Sequence, residues 1–205
     1  MKYINFYQKL KDAYPILSRK DINKVVGEDI LDTQLSSWVK KSLLVKPRRD
    51  IYLLKDNENV DRFLLANKLF EPSYVSLESA LFYYGLIPDV VAAVTSVTSK
   101  KTRRFDFNNQ LFLYQKIKSN LFFGYGEIKT GEWGFLLASP EKAILDYFYL
   151  NFSRLKSTDS WDELRIDKKT YKAIIKRPKL FKYLRIFDLN KFEKIIKQFD
   201  KYIRQ

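Results

Sequence analysis

The stretch from Ser18 to Val39 constrains the fold most tightly, because it holds two short helical stripes with a single glycine between them. Ser18-Arg-Lys-Asp21 reads as a capping-box-like start, and Ile22, Val25 and Val26 form one apolar face. Gly27 closes that helix after barely two turns. A second stripe follows at once: Leu31, Leu35, Trp38 and Val39 recur at i, i+4, i+7 and i+8, with Asp29 or Asp32 available as the cap. Upstream, Tyr3, Phe6, Tyr7, Leu10 and Tyr14 predict a first amphipathic helix that runs until Pro15. Downstream, Leu43-Leu44-Val45 and Ile51 to Leu54 read as strands around a Pro47-Arg48-Arg49-Asp50 turn.

Three helices followed by a basic two-stranded hairpin describe a winged helix-turn-helix. Its third helix carries Thr33, Gln34, Ser36, Ser37, Lys40 and Lys41 opposite the apolar stripe. In the DNA-binding reading, Gln, Thr and Ser hydrogen-bond base edges in the major groove and Lys40 and Lys41 neutralise phosphates. Arg48 and Arg49 grip the backbone or a minor groove. The competing reading is a protein-contact module with a solvated polar face. A further helical stretch from Asn59 to Phe70, with Phe63, Leu64 and Leu69 apolar, forms a strut, and Glu71-Pro72 breaks it. The boundary placed there divides the chain into 1–70 and 71–205, the latter comprising an α+β core (71–150) and a basic helical end (151–205).

In the centre the period changes to two. Ser76 to Gly85 reads as a capped helix with Pro88 beyond. Val91 to Val97 is β-branched and small, Arg104 to Phe107 and Leu111 to Tyr114 alternate across Asn108-Asn109, and Leu121 to Ile128 faces Trp133 to Ala138 across Thr130-Gly131. These segments predict antiparallel hairpins. Ser139-Pro140-Glu141 then opens a helix, with Ser as N-cap and Pro at N1, whose buried side is Ala143, Ile144, Tyr147 and Phe148. After a Ser157 to Ser160 loop, Asp167 caps a helix from Lys168 to Lys176 and Pro178 interrupts. Asp188 caps a last helix with Leu189, Phe192, Ile196, Phe199 and Ile203 as its stripe. The expected class is therefore α+β: an N-terminal winged helix-turn-helix, then a mixed α/β body with antiparallel hairpins and C-terminal helices.

Composition narrows the chemistry. The chain has no His and no Cys, which removes imidazole bases, Ser-His-Asp triads, thiolates, disulfides and the common zinc sites. No catalytic residue, metal site or cofactor is expected. No apolar run approaches the roughly 20 residues of a membrane span, and the first residues lead into an amphipathic pattern instead of a signal peptide, so the expected location is the cytoplasm. The 38 basic and 24 acidic side chains leave a net charge of +14, spread unevenly: +5 over 1–70, 0 over 71–150 and +9 over 151–205. Basic ends around a neutral centre suit polyanion contacts at the ends, although scattered Lys also serves solubility.

Several clusters imitate chemistry. Lys100, Lys101, Arg103 and Arg104 gather at a hairpin mouth, either as a contact to nucleic acid or to an acidic protein partner or as a solvated turn. Pro88-Asp89 with Glu127-Ile-Lys129 formally fits a metal-dependent nuclease pattern, but Glu127 and Lys129 run toward an exposed turn. Gly124-Tyr-Gly126 lacks the third glycine of a dinucleotide fingerprint and reads as a strand kink. Asp106, Glu141 and Asp146 are isolated carboxylates, with Asp146 expected on the exposed or partner-facing side of its helix. Nothing near Ser139 can take its proton.

Four blocks carry a resemblance: Tyr74 to Pro88, Val94 to Phe105, Leu121 to Tyr125 and Ala138 to Tyr147. In that order they resemble the signature blocks of the AbiEi family, the antitoxins of type IV toxin–antitoxin (abortive infection) systems that act in phage defence. The Arg-Arg-x-x-Tyr wing is similar to that family's N-terminal architecture, although Asp50 stands near a position where many relatives have Gly, and its acid weakens the wing's positive potential. The resemblance implies two partners: operator DNA with inverted repeats, bound by the winged helix in autorepression, with self-association on that DNA, and a cognate nucleotidyltransferase-like toxin, countered directly or functionally. The alternative from another class is a stand-alone winged-helix transcriptional regulator with a ligand-sensing or dimerising C-terminal body.

Overall fold

Helix α1 spans Tyr3–Leu10 and ends well before Pro15, so Tyr14 lies beyond it. The residue before a proline is pushed out of the helical region, and the chain is already turning, with the Ala13 N–H on the Leu10 carbonyl. The computed structural model describes residues 1–27, 30–155 and 157–205, and Asp29, a cap candidate, lies outside the described residues. Helix α2 spans Arg19–Val26 with both halves of the capping box in place: the Ser18 hydroxyl accepts from the Asp21 N–H, and the Asp21 carboxylate accepts from the Ser18 N–H. Gly27 ends it at φ 70°, a left-handed conformation that a β-carbon would strain.

Helix α3 spans Asp32–Lys40, and its N-cap is Leu31, not an aspartate. Leu31 is therefore outside the apolar stripe and 68% exposed. Strand β1 (Leu17–Ser18) pairs with β3 (Ile51–Leu54), which pairs with β2 (Leu44–Arg48), forming a three-stranded antiparallel sheet in the order β1-β3-β2. Pro47 lies within β2 instead of in the turn. On an edge strand a missing N–H costs no ladder bond, and a register shift between Val45 and Arg48 accommodates it. Arg49-Asp50 is left as the turn, with Asp50 at φ 63°. Phe6, Leu10, Ile22, Leu35, Trp38 and Leu54 make the core of this part, and the Phe6 and Trp38 rings lie 4.6 Å apart. Helix α4 (Arg62–Leu69) follows, its first turn held by the Asp61 carboxylate on the N–H groups of Phe63 and Leu64.

The chain forms two compact units, Met1–Leu69 and Phe70–Gln205. In the second, β4 (Ser73–Val75), β5 (Ala93–Thr98), β6 (Arg103–Phe107), β7 (Gln110–Lys116), β8 (Tyr125–Thr130) and β9 (Trp133–Ala138) build a six-stranded sheet in the order β6-β7-β5-β4-β9-β8. The β6-β7 and β8-β9 hairpins are antiparallel, with Asn108 and Asn109 both left-handed in the tight turn of the first. The sheet as a whole is mixed, because β5 runs parallel to β7 and β4 parallel to β9. Residues Ser119–Leu121 form a 3₁₀ turn, so the β8 strand starts later than its sequence pattern suggests.

Helix α5 (Leu77–Tyr83) leaves β4, and α6 (Pro140–Leu150) leaves β9. Ser139 caps α6 by accepting from the Lys142 N–H. Four helices close the chain: α7 (Thr158–Asp162), α8 (Lys168–Ile174), α9 (Arg177–Ile186) and α10 (Asn190–Arg204). Asp167 caps α8 through the Thr170 N–H. Pro178 opens α9 instead of interrupting a helix, because the first turn needs no N–H there. The N-cap of α10 is Leu189, which is exposed, while Phe192, Ile196, Phe199 and Ile203 are buried. The architecture is α+β, and among the described residues no helix is long and apolar enough to cross a membrane.

Candidate functional site

In Met1–Leu69, burial of Leu35 and Trp38 turns the opposite side of α3 outward, and Thr33, Ser36 and Lys40 are exposed there. Lys41, the C-cap, is exposed as well. Ser37 is half-buried. Gln34 is half-buried too, and its amide donates to the Met1 carbonyl, which draws the side chain toward the start of the chain instead of straight outward. The two hairpin arginines also differ. The Arg48 guanidinium donates to the Leu69 carbonyl, whereas Arg49 is 89% exposed and lies 3.6 Å from the Asp50 carboxylate. Lys46, absent from the sequence-derived set, is an exposed cation on the same hairpin, its ammonium 5.4 Å from the centre of the Tyr52 ring. The signal for it was the alternation of β2, hidden by the adjacent proline.

In Phe70–Gln205 the hairpin-mouth cations do not act as one patch. Lys100 donates to the Glu71 carbonyl at 2.8 Å, and Arg104 pairs with Asp106 at 3.3 Å. Arg103 and Arg104 are adjacent on β6 and point to opposite faces, leaving Lys101 and Arg103 exposed apart from those two contacts. The nuclease-like residues are likewise dispersed. Asp89 pairs with Arg165 at 2.9 Å, and Glu127 lies on edge strand β8 opposite Leu136, its side chain over Gly134. Among the described residues, no group of three or more Asp and Glu side chains is placed to hold a metal ion.

A polar cluster that the sequence did not reveal sits in the core of this unit. Asp146, expected on an exposed side, is fully buried. One carboxylate oxygen accepts from the ammonium of Lys142, one turn earlier on α6, and the other accepts from the Tyr74 and Ser76 hydroxyls at 2.9 Å each. Lys142 is buried too, and the rings of Phe123, Phe187 and Tyr74 lie 5.0–5.6 Å from its Nζ. Burial pushes the Asp146 carboxyl up and the Lys142 ammonium down, against the attraction between them. Burial and the neighbouring Asp146 also push the Tyr74 hydroxyl far above its ordinary value. Ser76 spends its hydroxyl on this cluster and makes no side-chain cap on α5. Every side of α6 between Glu141 and Asp146 is buried, so no solvent face exists there.

Two more buried carboxylates tie the helical end together. Glu141 accepts from the Lys176 N–H and pairs with Lys179 at 2.9 Å. Burial raises its carboxyl, but those contacts outweigh it and the net shift is downward. Asp200 pairs with Arg177 and Arg204 at 2.9 Å and accepts from the Tyr171 hydroxyl. Between Lys168 and Phe187 there are eight cations and no acid. These pairs turn Arg177 and Lys179 toward buried carboxylates, while Lys169, Lys172, Lys176, Lys182 and Arg185 are exposed or nearly so.

The chain matches no protein-family model, and no curated protein matches it either.

Proposed function

We propose that this chain is the antitoxin of a type IV toxin–antitoxin (abortive infection) system, acting in the cytoplasm, and that it represses its own operon through an N-terminal winged helix. One observation carries the DNA-binding part. The order helix, strand, helix, helix, hairpin brings α3 out with Thr33, Ser36, Lys40 and Lys41 on its free side, beside a hairpin bearing Lys46 and Arg49. Short hydroxyl side chains can read base edges, and the cations supply phosphate contacts. Helix α2 precedes α3 in the order of a helix-turn-helix.

The four sequence blocks similar to the AbiEi family support the antitoxin part, with the 71–205 body countering a nucleotidyltransferase-like toxin and the chain itself catalysing nothing. Three of those blocks supply Tyr74, Ser76, Lys142 and Asp146 of the buried cluster and Phe123 of its ring cage, while Phe187 of that cage lies outside them. On this reading the signature preserves the packing of the body, not an active site.

The test is growth of a host expressing the adjoining open reading frame, with and without this protein from a second plasmid. Relief of toxicity is the expected result. Toxicity left unrelieved, or no toxicity, removes the antitoxin reading and leaves a DNA-binding regulator.

A further inference from the structure

A cleft of about 610 Å³ opens in Phe70–Gln205 where the chain leaving α5 meets the chain entering α8. The Asp167 N–H donates to the Leu86 carbonyl at 2.9 Å and holds the two segments together. Its apolar lining is Pro88 and Ile166, with Gly85 adding no side chain and open space where a β-carbon would stand. Its charged lining is Arg165, Asp167, Lys168 and Lys169. Asp89 pairs with Arg165 at 2.9 Å, and the Asp167 carboxylate is turned to the Thr170 N–H at 2.6 Å, where it caps α8. The Lys168 ammonium lies 4.9 Å from the centre of the Tyr202 ring.

A volume in the range of small-ligand pockets, roughly 300–1,000 Å³, lined by apolar Pro88 and Ile166 and by three cations against one carboxylate, suits a ligand that joins a weakly polar ring system to an anionic group. We propose that this cleft binds a nucleoside phosphate, with its phosphates on Lys168 and Lys169 and its base against Pro88 and Ile166. The nucleotide can be free or an unpaired nucleotide of a single strand. A base-paired duplex keeps its base faces stacked and cannot offer them to that apolar lining. The site needs neither operator binding nor a toxin, so it stands apart from the antitoxin reading.

The experiment is calorimetric titration of the full chain with ATP, GTP, tripolyphosphate and a single-stranded oligonucleotide. Binding of ATP or GTP at least about tenfold tighter than tripolyphosphate is expected, a difference of about 1.4 kcal/mol. Lys168→Gln/Lys169→Gln, on exposed residues, should weaken it about tenfold or more, while Lys191→Gln/Lys194→Gln, on exposed residues of α10, should leave it unchanged. Binding of the oligonucleotide alone, weakened by the first pair and not the second, identifies the strand as the source. Binding of neither ligand overturns the proposal. So does tripolyphosphate matching ATP, or indifference to the Lys168 and Lys169 changes.

Discussion

Lys142 shows how one residue can organise a core. Its ammonium is shut among aromatic rings, and its charge is tolerable because Asp146 faces it while Tyr74 and Ser76 complete the carboxylate's hydrogen bonds. Removing one member leaves a buried charge without its partner, which costs about 3–5 kcal/mol, whereas removing both charges together costs less. Lys142→Met should therefore lower the free energy of urea unfolding by about that amount. Lys142→Met/Asp146→Leu should recover part of the loss, and equal losses in the two variants would remove the ion pair as the cause. Glu141 gives a pH signature. Its folded carboxyl lies below the ordinary 4.5, so its pairing with Lys179 stabilises the protein above that pH and the contribution fades as the pH falls through the lowered value. The melting-temperature difference between the protein and Glu141→Gln should be full at neutral pH and shrink in acid. Ser139 as a cap was legible because its partner is three residues away. Asp146 was not, because Tyr74 and Ser76 lie some seventy residues upstream.

At the scale of elements, α2 is defined by its ends. Ser18→Ala removes half of the capping box and should cost about 1 kcal/mol, read as a shift in urea midpoint with unchanged slope. Gly124 is constrained twice, by φ 75° and by a missing β-carbon that would stand 3.0 Å from Tyr183 and 3.1 Å from Lys142. Gly124→Ala should therefore destabilise by more than the αL strain of roughly 1–2 kcal/mol, whereas Gly126→Ala, on open space, should not. The hairpins and the caps at Ser18, Ser139 and Asp167 were readable because turn and cap chemistry is local. Strands β1 and β4 were not, since two or three residues carry no period and pair only because distant strands present an edge.

For the whole molecule, the proposed DNA contact predicts a strong salt dependence. If Lys40, Lys41, Lys46 and Arg49 each meet a phosphate, log affinity should fall with log salt at a slope of about −3.6, and affinity flat across salt would exclude phosphate recognition. Arg49→Ala should reduce that slope by about 0.9, and Arg48→Ala should change it less, because the Arg48 guanidinium is held by the Leu69 carbonyl. Thr33→Ala and Ser36→Ala should lower preference for the operator over unrelated DNA, with a smaller effect on non-specific binding. Equal losses on both DNAs would move base reading to another face.

The sequence by itself determined where α2, α6 and α8 start, most of their apolar positions, where the chain turns back in its hairpins and which chemistries lack the residues to occur. Those properties depend on side chains within a few positions of one another. The tertiary structure alone decided that β5 and β7 run parallel, that Asp146 is a core residue, that Arg48 and Gln34 are tied to backbone carbonyls, and that two distant loops enclose a cationic cleft. Each of those depends on partners tens of residues away, and a side chain's charge or spacing does not reveal which distant group will satisfy it once water is excluded.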